Sequence, residues 1–318
     1  MLQSIKNNWR PILFLLVITP FLTELLSTNL SLEAILHPLT FVALVVVGYG
    51  LPVLVIRELA VKWNVSFFGV LIMGLAYGIF NEGILAKTFL LADHVPITAF
   101  NNYIFFWGIN FSWRPIITIW HALHAVLFPI LLTHFFFPGC DSRSWLSPRG
   151  VWMFPIPAIV ISTIGFFQKG TSGVIGTWPF FVLFWALIIG IIYIARIFKK
   201  GPEKIINCSP LKLTLTGFLF VLVFILAPSA LASGKVPSLI FFGYLLVALL
   251  LFSYLLRDIQ NNFRGLIFVA LGTYIASATF GLIFNIANGR TPEIISELLF
   301  ITVFIFLIRK NTISTSSN

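Results

Sequence analysis

Residues 66–90 read SFFGVLIMGLAYGIFNEGILAKTFL. The first half of this run has no charged side chain, yet Glu82 follows, with Lys87 five residues later. A helix of about 20 apolar residues crosses the hydrocarbon core of a bilayer, so the run is long enough to span one. A carboxylate inside such a span costs a few kcal/mol or more and asks for a partner or a task. The one stretch therefore poses the fold and the function together.

The rest of the chain supports the membrane reading. Of 318 residues, 59% are hydrophobic and only 9% charged, and the mean hydropathy is +1.02. A soluble domain needs far more charge to cover its surface. The formal net charge of +10 does not call for nucleic acid, because excess Lys and Arg of a polytopic protein collect in cytoplasmic loops. The N-terminal MLQSIKNNWRPILFLL has no small-residue cleavage site after its apolar run, which predicts an uncleaved first span. Cys140 and Cys208 fall in loops expected in the cytoplasm, where thiols stay reduced, and no CxxC pair suggests a thiolate metal site.

Apolar runs separated by polar or proline-marked breaks predict an all-α, polytopic bundle of ten spans, forming one transmembrane domain. The spans are 11–29, 38–61, 66–90, 114–137, 150–168, 177–197, 211–232, 236–256, 265–285 and 293–309. With the N-terminus inside, 15 Lys and Arg fall on the cytoplasmic side, from Lys6 and Arg10 to Arg309 and Lys310. Five fall outside: Lys87, Arg114, Lys169, Lys235 and Arg290. That asymmetry predicts both termini inside and a multi-pass protein of an inner or plasma membrane. The basic loop FKKGPEKIINCSPLK suits an anionic leaflet. The outer loop 92–112, with NNYIFFWGINFSW, reads as an aromatic interface anchor, and the sharper alternative is a segment roofing a cavity.

Ionisable residues inside spans concentrate in the first half. Glu24 follows Pro20 on span 1, Glu82 lies on span 3, and His121, His124 and His134 lie on span 4. At 1.5 Å per residue, Glu24 and Glu82 rise about 20–25 Å from the cytoplasmic side. His121 and His124 descend about 10–15 Å from the outer side, so all four reach the outer half of a core ~30 Å thick. His121 and His124, three apart, share a face of an α-helix. Gly74, Gly78, Glu82 and Ala86 form a row that lets a neighbouring helix come close and carries Glu82 into a helix–helix seam. Glu24 has two readings, a member of this outward-facing pocket or a partner of Lys87 or Arg114. His121 and His124 are either working groups or a structural polar lock.

Other polar positions read more plainly. Arg57–Glu58 reads as an interfacial pair, and GYGLP at 48–52 as a kink in which Pro52 leaves a carbonyl unpaired. His37 and His94 fall in outer loops. In the second half, Asn285 and Glu297 are the candidates for the same pocket, with Ser277 and Thr279 deeper.

Two active functions follow from a Glu/His pocket. One is a proton-coupled or solute carrier, although the two halves show no matching broken helices of the kind carriers often use. The other is an intramembrane hydrolase, with Glu82 as base, His121 and His124 as its partners or as ligands of a divalent metal, and Glu24 as a second carboxylate. A non-enzymatic scaffold is the third reading. The expected partners are the bilayer and a peptide or small solute entering from the outer side.

The stretch NEGILAK followed by WHALH resembles the glutamate/histidine intramembrane proteases of the CAAX-protease and bacteriocin-processing type. The resemblance covers spans 3 and 4. It implies Glu82 as the second member of the family's glutamate pair and Trp120-x-x-x-His124 as its aromatic–histidine motif. Asn81 stands where the first glutamate belongs, Lys87 stands one position later than the family's arginine, and no histidine follows His134. The HxxH of 121–124 is not the HExxH of zinc proteases.

Overall fold

The computed structural model describes residues 2–25, 30–93, 95–169, 173–202, 209–257, 259, 262–295, 297–299, 301–302 and 305. His94, Cys208 and most of the basic 198–212 loop's centre lie outside them, as does much of the expected tenth span. Helix α1 is Leu2–Pro20, continued by a wider π-helical turn, Phe21–Leu25. A short helix, Leu32–Leu36, leads into the rest. Among the described residues, eight helices are long and apolar enough to cross a membrane. They are α2 (Pro38–Lys62), α3 (Phe67–Leu85), α4 (Trp113–Phe136), α5 (Pro148–Phe166), α6 (Trp178–Ala195), α7 (Pro210–Ser233), α8 (Ser238–Leu256) and α9 (Phe263–Ala287). These correspond to the second through ninth expected spans. The remaining sheet structure is a hairpin of two short strands, β1 (Phe105–Phe106) and β2 (Ile109–Asn110).

Local chemistry sets the helix ends. Ser66, Ser147, Ser209 and Asn262 accept a backbone N–H from the first turns of α3, α5, α7 and α9, satisfying donors that a helix start leaves open. Proline opens α5 and α7 at positions where its missing N–H costs nothing. α3 ends five residues short of the expected boundary, because Lys87 takes a left-handed backbone with φ +60° and the chain turns there.

Small residues set the closest crossings. A Cβ on Gly74 would sit 2.7 Å from Ala122 Cα, and one on Gly78 2.8 Å from Thr118 Cα, so α3 and α4 meet backbone to backbone along the expected row. A second crossing brings α7 onto α9, where a Cβ on Gly217 would lie 1.9 Å from the Val269 carbonyl oxygen. The core is continuous through α2, α3 and α4. Outward faces of α5, α6 and α8 expose large apolar side chains such as Ile161, Ile189, Leu239 and Leu246. Such a surface is what hydrocarbon covers.

Candidate functional site: a buried Glu–His cluster on π-helical turns

The break in α2 comes first. Leu44–Gly48 is a π-helical turn, and the helix resumes at Gly50. Pro52 has no N–H to offer the carbonyl four residues back, which is Gly48. Two side chains of α3 take that carbonyl instead: the Tyr77 hydroxyl donates to it, and Asn81 Nδ2 donates over 3.4 Å. Asn81 Nδ2 also donates to the Tyr77 oxygen at 3.0 Å. Gly50 is required here, since a Cβ would come 2.5 Å from the Val45 carbonyl oxygen.

The same wider winding recurs at the other candidate positions. Glu24 lies in Phe21–Leu25, Glu82 in Phe80–Leu85, and His121 and His124 in His121–Leu127, each a π-helical turn. Such turns are rare and gather at functional sites. One further π turn, Leu222–Leu226, carries no polar side chain.

Glu82 and His121 meet. His121 Nε2 lies 2.6 Å from Glu82 Oε1. The other carboxylate oxygen, Oε2, accepts from the Thr88 hydroxyl, and Trp113 Nε1 in turn donates to Thr88 Oγ1 at 3.0 Å. With Glu82 ionised and His121 neutral, the short contact places the His121 proton on Nε2 and leaves Nδ1 as a bare lone pair. Nδ1 is buried and has no hydrogen-bond partner.

Glu24 joins the same cluster through Tyr49 of the GYGLP kink. The Tyr49 hydroxyl donates to Glu24 Oε1, and the Tyr49 ring lies 6.0 Å from the His121 ring. Tyr77 stands edge-on to His121 at 5.8 Å and beside Tyr49 at 6.2 Å. Glu24, Tyr49, Tyr77, Glu82 and His121 are all buried. No sequence signal marked Tyr49 apart from its place in the kink. The pairing of Glu24 with Lys87 is not what forms: the three N–H groups of the Lys87 ammonium go to the carbonyls of Gly165 (3.1 Å), Gln168 (2.5 Å) and Val174 (2.8 Å). Lys87 thus pins the chain after α5 against the turn that carries Thr88.

His124 faces elsewhere. Its Nε2 is 3.0 Å from Ser277 Oγ on α9, and its Nδ1 is 3.2 Å from the Trp120 carbonyl. The ring stacks on Trp120 with centroids 3.8 Å apart. In an α-helix, residues three apart share a face, but the π turn lowers the rotation per residue and spreads the pair. Glu82, His121 and His124 therefore do not converge as three ligands, and among the described residues no three His, Cys, Asp or Glu side chains gather to hold a metal. Asn285 and Glu297 pair with each other rather than with Glu82. A small apolar pocket lined by Leu22, Leu131, Leu132, Ile267 and Tyr274 lies where the α1 end, α4 and α9 pack together.

The 92–112 loop packs against the start of α4. Asn110 Nδ2 donates to the carbonyls of Phe100 (3.0 Å) and Leu91 (3.3 Å), while its oxygen accepts from Trp113 N at 3.0 Å. Tyr103 donates to the Val236 carbonyl at 2.9 Å, and burial raises its pKa. The hairpin tip, with Phe106 stacked on Trp107 at 4.6 Å, stands exposed as an interface anchor would. No family model, curated protein or solved structure matches the chain.

Proposed function

We propose that the chain is a ten-span protein of an inner or plasma membrane, with both termini cytoplasmic, and that its Glu82–His121 dyad activates water as an intramembrane hydrolase. The excess of Lys and Arg in alternate loops supports the orientation. One observation carries the hydrolase reading: His121 is held by Glu82 through one nitrogen while the other, buried, has no partner. That is the arrangement in which a carboxylate fixes a histidine's tautomer and its far nitrogen works as a base.

The roles differ from the sequence expectation. His121 Nδ1 accepts a proton from water, the resulting hydroxide attacks the carbonyl carbon of a peptide-like amide, and Glu82 stabilises the imidazolium. The same proton then passes to the leaving nitrogen as the C–N bond breaks. A positioned base of this kind contributes about 10²–10⁴ in rate. The resemblance to glutamate/histidine proteases supports the class of reaction, with His121 in place of His124 as the partner of Glu82. His124 then serves the α4–α9 contact, and the substrate enters from the outer side.

A second reading, a proton-coupled carrier, is favoured by Glu24 and Tyr49 standing beside the dyad, since two carboxylates, one bonded to a hydroxyl and the other to an imidazole with the two rings 6.0 Å apart, make proton stations. The test separates the two. Purified protein is incubated with membrane peptides, and newly formed termini are read by mass spectrometry for wild type, His121→Gln and Glu82→Gln. Proteoliposomes of the same proteins report proton flux with an internal pH dye. New termini lost in both folded variants support hydrolysis. Flux lost in both, without new termini, transfers the dyad to a carrier, and neither signal leaves a scaffold.

A further inference from the structure

Asn285, near the end of α9, and Glu297, on the helical segment that follows, are buried to 0% and 1% exposure. They meet through one bond, Asn285 Nδ2 to Glu297 Oε1 at 3.3 Å. Their other oxygens, Asn285 Oδ1 and Glu297 Oε2, are buried without a hydrogen-bond partner. A carboxylate taken out of water with so little compensation either binds a proton or binds positive charge. Arg290, three residues beyond Ala287 where α9 ends, holds its guanidinium over the Phe284 ring at 5.3 Å.

The geometry points to a binding site for a hard monovalent cation of the sodium class, held by Asn285 and Glu297. An asparagine amide exchanges its oxygen and nitrogen by turning about its last bond. Once turned, Asn285 presents an oxygen to Glu297 Oε1 across the same 3.3 Å. One ion at about 2.3–2.6 Å, the oxygen distance of a hard cation, reaches two oxygens that far apart. An all-oxygen set without sulfur or imidazole selects hard ions. The Glu297 carboxylate is neutralised by a single positive charge; Glu293, one turn earlier and also buried, has interactions of its own. Binding clips the segment after α9 back onto the helix, and it does so independently of the Glu82–His121 dyad.

The full chain in detergent, kept in choline chloride, is melted after exchange into sodium, potassium or calcium chloride at constant ionic strength, and radiolabelled sodium binding is measured directly. The site is supported if sodium at about tenfold excess over its Kd raises Tm by roughly 2–4 °C and binds stoichiometrically, with both effects lost in Glu297→Gln and Asn285→Ala. Asn285→Asp, which keeps an oxygen, retains them. Absence of bound sodium in the wild type overturns the proposal and leaves Glu297 protonated. A response to calcium alone overturns the monovalent assignment. Sodium binding that persists in both variants places the ion elsewhere and overturns the site, a result readable by label even if one variant melts low.

Discussion

Two buried charged clusters lie at opposite ends of the helices around α2, and they are built on opposite plans. At the end of α2, Arg57 and Glu58 are 1% and 0% exposed and joined at 2.5 Å. Glu58 also accepts from the backbone N–H of Trp145 (3.0 Å) and Leu146 (3.0 Å) and from the Ser144 hydroxyl. Arg57 donates to the Cys140 carbonyl and to His134 Nε2 (3.4 Å), and its guanidinium stacks 3.6 Å from the Trp145 ring. Both charges are saturated from within, and only His134 Nδ1 at the rim lacks a partner among these groups. The Glu82–His121 dyad leaves its open nitrogen at the centre. Saturated charge holds a structure together, whereas a vacant lone pair on a braced imidazole is placed to act.

Breaking the saturated cluster therefore has the largest effect on stability. Glu58→Gln strands the buried Arg57 and lowers unfolding stability by about 3–5 kcal/mol, read as a fall in Tm in detergent. Next comes the seam that delivers the dyad. Gly78→Leu forces α3 from Thr118, costs about 1–3 kcal/mol by overpacking, and abolishes the Glu82–His121 contact, which histidine nitrogen NMR detects as a change in Nε2 shift. Thr88→Val removes one bond to a charged oxygen and costs about 1.5–3 kcal/mol at most, with Thr88→Ser restoring it and an infrared carboxylate band of Glu82 following both. Glu82→Gln preserves shape, weakens the bonds from His121 and Thr88 from charged to neutral at about 1–2 kcal/mol, and removes the proposed activity. A Glu82→Gln protein as unstable as Glu58→Gln would erase the distinction between the two clusters.

Much of this arrangement is legible in the sequence. Apolar runs bounded by serine, proline and basic residues mark the helices, and a glutamate or histidine inside them stands out because hydrocarbon tolerates so few. The glycine row of α3 announces the close approach to α4. The kink at GYGLP is also legible, including the orphan carbonyl that Pro52 creates. Three things are not. Arg57 and Glu58 sit at a span end, where charge is ordinarily solvated, and only the fold brings the 140–146 segment over them. Tyr49 carries no charge in an apolar run, so its bond to Glu24 depends on how α1 and α2 cross. The separation of His121 from His124 depends on a winding that residue spacing, counted on an α-helix, does not contain.

That winding makes the dyad a matter of chain length as well as of residue identity. A π turn holds one residue more than an α-helix would place over the same path. Deleting one residue other than Glu82 or His121 from 80–85 or 121–127 returns the turn to α-helix over the same path, so the flanking helix keeps its place while the residues inside the turn are re-aimed by up to about 100° about the axis. Glu82 and His121 would both survive such a deletion in the sequence and no longer face each other in space. Register, counted in single residues along α3 and α4, is thus as much a constituent of the site as the carboxylate and the imidazole.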